Sequence, residues 1–163
     1  MKKIISAAGV FMLALLFLNQ AAYSQQMKDF NWDSYNTKFS IPTTFNVDKS
    51  TGTEFQAGDG DVYLSIYPKS GGSVTFSQMK AKLEDWASES KVYDYPKVYE
   101  LENLNGYWGV YLEGTNSTNS LPALLMLVVH PDYPTKSMYV WINYKKESIN
   151  VADKILKSFT PTY

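Results

Sequence analysis

The chain has 163 residues, 45% apolar and 19% charged, which is enough for one domain with a real core and too apolar for a disordered chain. All fifteen basic residues are Lys, set against sixteen acids for a net charge of −1, with one His and no Cys or Arg. These counts exclude thiol catalysis, disulfides, Cys/His zinc sites and arginine clamps on phosphate.

Lys2 and Lys3 precede an apolar run from Ile4 to Leu18, and Ala22-Tyr23-Ser24 reads as small-x-small before Gln25. That is the layout of a secretory signal peptide over residues 1–24, cleaved between Ser24 and Gln25. The run is shorter than the roughly 20 residues a membrane span needs, so no stable insertion is expected once the signal is removed. Loss of residues 1–24 takes two Lys and no acid, leaving 13 Lys against 16 acids, a net charge of −3. Nothing in that balance suits nucleic acid. The expected location is the periplasm or the exterior, and a chain without Cys must be stable there by packing alone.

Residues 25–34 are polar with Phe30 and Trp32 and read as a loose N-terminal arm; the domain proper is expected over 35–163. Tyr35 to Ile41 alternates as a strand ended by Pro42, Phe45 and Val47 make an apolar turn, and Thr53 to Ala57 is a second strand. Gly58-Asp59-Gly60-Asp61 is hairpin punctuation before Val62 to Tyr67, a cleanly alternating strand. Thr75 to Ser88 is the clearest helix: Phe76, Met79, Leu83, Trp86 and Ala87 form one stripe, and Thr75 with Gln78 is a capping-box pattern. The same stripe predicts that Trp86 is buried by the sheet. Strands at Val98–Glu102 and Tyr107–Glu113 flank Asn105-Gly106, a tight-turn pair. Ala123 to His130 is continuously apolar, hence a central strand covered on both faces. Ser137 to Tyr144 alternates, and Ile149, Ala152, Ile155, Leu156 and Phe159 mark a last short helix.

Consecutive strands with short turns give an α+β fold, an antiparallel sheet of six to seven strands with helices packed on it as an α/β/α sandwich. Val62/Leu64/Ile66, Trp108/Val110/Leu112 and Met138/Val140/Ile142 would share an aliphatic face under the main helix. Tyr63, Tyr67, Tyr107, Tyr111, Tyr139 and Trp141 would then form an opposite aromatic face, half-covered or exposed.

Several short motifs match one family: Phe39-Ser40-Ile41-Pro42, Phe55-Gln56-Ala57, Leu64-Ser65-Ile66-Tyr67-Pro68, the helix ending near Trp86, Asn105-Gly106, and Tyr144 followed by Ala152-Asp153-Lys154-Ile155-Leu156-Lys157-Ser158-Phe159. On these the chain resembles the PsbP-like family, which includes the photosystem subunit and the Mog-type Ran-binding proteins. These are packing motifs and cover roughly residues 35 to 160. The resemblance implies an antiparallel sheet with helices on both sides and a binding or assembly role without catalysis. None of the family's functional residues carries over.

Four features carry candidate chemistry. His130 is the sole imidazole, and a Ser-His-Asp arrangement would need it, yet no G-x-S-x-G elbow accompanies it. Asp59 and Asp61 could face a hard cation but lack the calcium-loop series, so no metal and no cofactor are expected. Glu54, Glu100, Glu102 and Glu113 could supply a carboxylate pair, though no spacing selects one. The sequon Asn116-Ser117-Thr118 reads as a surface loop. The aromatic face weighs most, because rings with a polar tip suit protein interfaces and sugar stacking. The reading is an exported, non-enzymatic envelope protein. It would bind a partner protein through that face or through the loops at 68–73 and 114–120. A small-molecule or glycan binder with an aromatic pocket is the alternative, and a hydrolase comes last. A flat aromatic patch would favour the first; a concave one of about 300 Å³ would favour the second.

Overall fold

A computed structural model describes residues 25–162, without the side chains of Glu102 and Asn103. The signal peptide and its Ser24–Gln25 cleavage point lie outside the described residues, save for Gln25 itself. The strands are β1 (Met27–Trp32), β2 (Thr37–Pro42), β3 (Asn46–Ser50), β4 (Phe55–Gly58), β5 (Val62–Ser70), β6 (Val92–Tyr93), β7 (Tyr99–Leu104), β8 (Tyr107–Asn116), β9 (Pro122–Val129), β10 (Lys136–Tyr144) and β11 (Thr160–Pro161). The helices are α1 (Phe76–Glu89) and α2 (Ile149–Leu156).

An eight-stranded sheet runs β3-β4-β5-β10-β9-β8-β6, with β7 also paired to β8. A three-stranded sheet runs β1-β2-β11. Every pairing among the described residues is antiparallel, and β1–β2, β3–β4, β4–β5, β7–β8, β8–β9 and β9–β10 are joined by short connections. The α+β class holds, with more strands than expected. The arm over 25–34 is not loose: β1 pairs with β2 over six positions, and Trp32 is buried. Alternation is weak there because two edge faces are wet, so the pattern hid the strand. Val47, expected with Phe45 in an apolar turn, lies instead in β3, whose side chains are all exposed.

β9 lies between β8 and β10 and is covered on both sides, which is why its sequence is apolar without alternation. Leu124, Met126 and Val128 enter one core with Val62, Leu64, Ile66, Met138, Val140 and Ile142. That core is closed by Phe39, Ile41, Ala152, Ile155, Leu156 and Phe159 from β2, α2 and the segment after it. Leu125, Leu127 and Val129 enter the other core with Val110, Leu112, Met79, Leu83 and Ala87.

The second core corrects the expected stacking. α1 lies on the face that carries Tyr139 and Trp141, and α2 with the small sheet covers the aliphatic face of β5 and β10. Val110 and Leu112 sit under α1, on the opposite side of the sheet from Val62 and Met138. The physical reason is register. Tyr111 pairs with Met126 and Met126 with Val140, so Tyr111, not Val110, shares a face with Val140. α1 begins as its sequence predicts, with the Thr75 N–H donating to Gln78 Oε1 at 3.0 Å in a capping box.

Candidate functional site

The six aromatic residues do not form one face. Tyr63, Tyr67, Tyr139 and Trp141 lie on the α1 side, because Tyr139 pairs with Tyr67 and Asn143 with Tyr63 across β10 and β5. Tyr107 and Tyr111 lie on the other side, among the core closed by α2. Tyr107 is 4% exposed, Tyr63 is 38% exposed, and the other four are half-buried. The expected flat patch is therefore absent from these six positions. Tyr111 stacks on Tyr99 at 5.0 Å, which ties it to β7.

On the α1 side, three of those rings are gathered by a fourth. Trp86 meets Tyr139 edge-on at 5.0 Å, Trp141 at 6.1 Å and Tyr67 at 6.5 Å. Trp86 is thus at the margin of the helix interface and half-buried, where full burial was expected. Beside it opens a groove of about 340 Å³ between α1, the start of β10 and the loop after β5. Trp86 and Tyr139 supply rings, Lys82, Asp85 and Glu89 come from α1, and Lys69 from the end of β5. Burial raises the Tyr139 hydroxyl pKa, and the Glu89 and Asp85 carboxylates raise it further. Tyr139 therefore stays a neutral hydroxyl donor at physiological pH. Trp141 Nε1 is buried with no hydrogen-bond partner, a cost of about 1–3 kcal/mol.

The sequence pattern placed Trp86 in the core and gave Lys82 and Asp85 no part in a site. A signal was present: Lys82, Asp85, Trp86 and Glu89 fall at i, i+3, i+4 and i+7, a second helical stripe beside the apolar one.

The remaining candidates disperse. Asp59 Oδ1 accepts the backbone N–H groups of Asp61 and Val62 at 3.2 Å, and Asp61 pairs with Lys145 at 2.6 Å. The β4–β5 turn occupies both carboxylates. Among the described residues no group of three or more His, Asp or Glu side chains could hold a metal ion. Glu54 pairs with Lys49 and Glu100 with Lys80, both at 2.6 Å, while Glu113 accepts from Tyr144 Oη at 2.5 Å. Asn116 of the sequon is 5% exposed and donates to Asn143 Oδ1, which withdraws it from the expected surface loop. His130 Nδ1 accepts the Asp132 backbone N–H at 3.1 Å, and its ring lies against Tyr107 and Tyr133 in a second cleft.

No family model and no curated protein matches the sequence. Solved structures do match the fold. LpqN, involved in cell envelope biogenesis of Mycobacterium tuberculosis, is 13% identical, with 85% of this chain covering 91% of that one at a TM-score of 0.51. A protein from Bacteroides thetaiotaomicron is 10% identical at a TM-score of 0.53; 85% of this chain is covered, and it spans about half (49%) of that one. At such identity the likeness establishes a shared architecture of sheet and helices. No helix among the described residues is long and apolar enough to cross a membrane.

Proposed function

We propose that this chain is an exported, PsbP-like envelope protein that binds a glycan in the groove beside α1 and performs no chemistry on it. The carrying observation is the concave site itself: two half-buried rings, Trp86 and Tyr139, flanked by Asp85, Glu89, Lys69 and Lys82. A sugar presents apolar C–H faces to rings and a belt of hydroxyls to charged donors and acceptors. A groove with such mixed walls suits a polyhydroxylated ligand better than a flat protein surface, and its volume lies in the range of ligand sites. The signal-peptide layout supports export, and the involvement of the structurally similar LpqN in cell envelope biogenesis fits the same compartment.

The test is a tryptophan-fluorescence titration of the mature protein with oligosaccharides released from envelope polysaccharide. Saturable change in emission is expected, abolished in Trp86→Ala and weakened at least about tenfold in Asp85→Asn/Glu89→Gln. No saturable signal from any oligosaccharide, together with a stoichiometric protein partner recovered by crosslinking, would sink the glycan reading and restore a protein partner.

A further inference from the structure

In the groove beside α1 both signs of charge stand around the rings, in an order set by the helix and by strand register. Trp86 meets Tyr139 edge-on at 5.0 Å. Along α1, Lys82 comes one turn before Trp86 and Glu89 about one turn after it, so these two charges are separated by about 10 Å along the axis. Asp85 directly precedes Trp86. Across the strands, Tyr139 pairs with Tyr67 and Ser137 with Lys69. Lys69 therefore shares the α1 side of the sheet and stands about 7 Å along β5 from the paired tyrosines, at the end from which the chain leads into α1. The carboxylates reach the ring itself: after burial, Glu89 and Asp85 are what raise the Tyr139 hydroxyl pKa. All four charged side chains line the groove, and among the described residues none of them forms an ion pair.

We infer that the groove selects a zwitterionic amino sugar, with a carboxylate for Lys69 and Lys82 and a protonated amine for Asp85 and Glu89. The inference rests on the glycan reading and narrows its ligand. The volume sets the size: cavities of about 150 Å³ accept a benzene ring, so about 340 Å³ takes one sugar unit with its substituents. The rings set the body. A sugar lays its C–H face on Trp86 and offers oxygens to the Tyr139 hydroxyl. The charges set the substituents. Two ammonium groups beside two carboxylates carry no net charge, so an ion of one sign gains from one pair and loses to the other. A ligand that bears both signs gains from both pairs. The half-buried rings between them reduce the solvent screening that weakens such contacts on an open surface.

The experiment titrates the mature protein with four matched sugars at about pH 6, where the side-chain carboxylates are ionised and the sugar amine is protonated. Muramic acid carries both charges, glucosamine the amine alone, N-acetylmuramic acid the acid alone and N-acetylglucosamine neither. Binding is read from NMR shifts of the Trp86 indole and the Tyr139 ring. Muramic acid should bind at least about fivefold more tightly than N-acetylglucosamine, with the two singly charged sugars between them. Asp85→Asn/Glu89→Gln should remove the advantage of the amine and keep that of the acid, and Lys69→Gln/Lys82→Gln should do the reverse. These side chains are exposed or half-buried, so both variants should keep the wild-type Tm. Four sugars that bind within about twofold of one another overturn the inference and leave the glycan reading standing. Variants that lose both advantages together overturn it as well. No saturable shift from any sugar, or dialanine bound as tightly as muramic acid, overturns both.

Discussion

Among single residues, burial and satisfaction of polar groups decide the outcome. Leu83 is fully buried on the sheet-facing side of α1, whereas Trp86 keeps part of its ring at the groove. Leu83→Ala should cost about 3–5 kcal/mol, and Trp86→Ala only about 1–3 kcal/mol, because less apolar surface is removed from cover. Urea denaturation of both variants checks the order; a larger loss for Trp86 would return it to the core. Asp59 behaves differently. Burial pushes its pKa up, but the Thr44 hydroxyl, the Val62 and Asp61 backbone N–H groups and Gln25 more than offset this and hold it below the usual carboxylate range. A carboxyl with a lowered folded pKa stabilises above its unfolded value, near 3.9, and that contribution is lost as pH falls below it. Wild type should therefore lose stability faster than Asp59→Asn between pH 5 and about pH 3. Parallel urea midpoints across that range would contradict the linkage.

The elements show how side chains of one segment fix another. Asn105 and Gly106 take the positive φ values of the tight turn that the sequence predicts, 49° and 105°. Asn105 also donates from Nδ2 to the carbonyls of Lys157 and Phe159, so the β7–β8 hairpin holds the chain leaving α2. The turn was legible as a turn; its second task depends on a segment more than 50 residues away. β6 depends on a glycine in the same way. A Cβ at Gly114 would sit 2.5 Å from the Tyr93 backbone oxygen and 3.0 Å from Val92 Cγ1. Gly114→Ala should push β6 from the edge of β8 and cost about 1–3 kcal/mol. Gly52→Ala, with nothing within 4 Å, should stay within about 0.5 kcal/mol. Equal thermal shifts in the two variants would mean that β6 gives way without resistance.

At the scale of the whole molecule, one sheet separates two cores, with the groove beside Trp86 on one side and the cleft beside Tyr107 on the other. The three-stranded sheet and α2 close the first core, α1 closes the second, and β9 contributes alternate residues to both. The sequence by itself determined the α+β class, the central position of β9, the start of α1 and the hairpin turns. Each of these follows from periodicity, capping or φ preference within a few residues. It also showed the alternation of Tyr139 and Trp141 with Val140 and Ile142. Alternation fixes that two sets of side chains part company, but not which set on one strand joins which set on the next. That choice rests on register: Tyr111 opposite Met126 places Tyr111 on the face of Val140 and divides the expected aromatic face in two. Tertiary structure alone decided that α1 lies on the aromatic side, that Trp86 walls a groove, and that β1 is a strand. It alone brought Tyr107 beside His130, because no local interaction records a contact between residues so far apart along the chain.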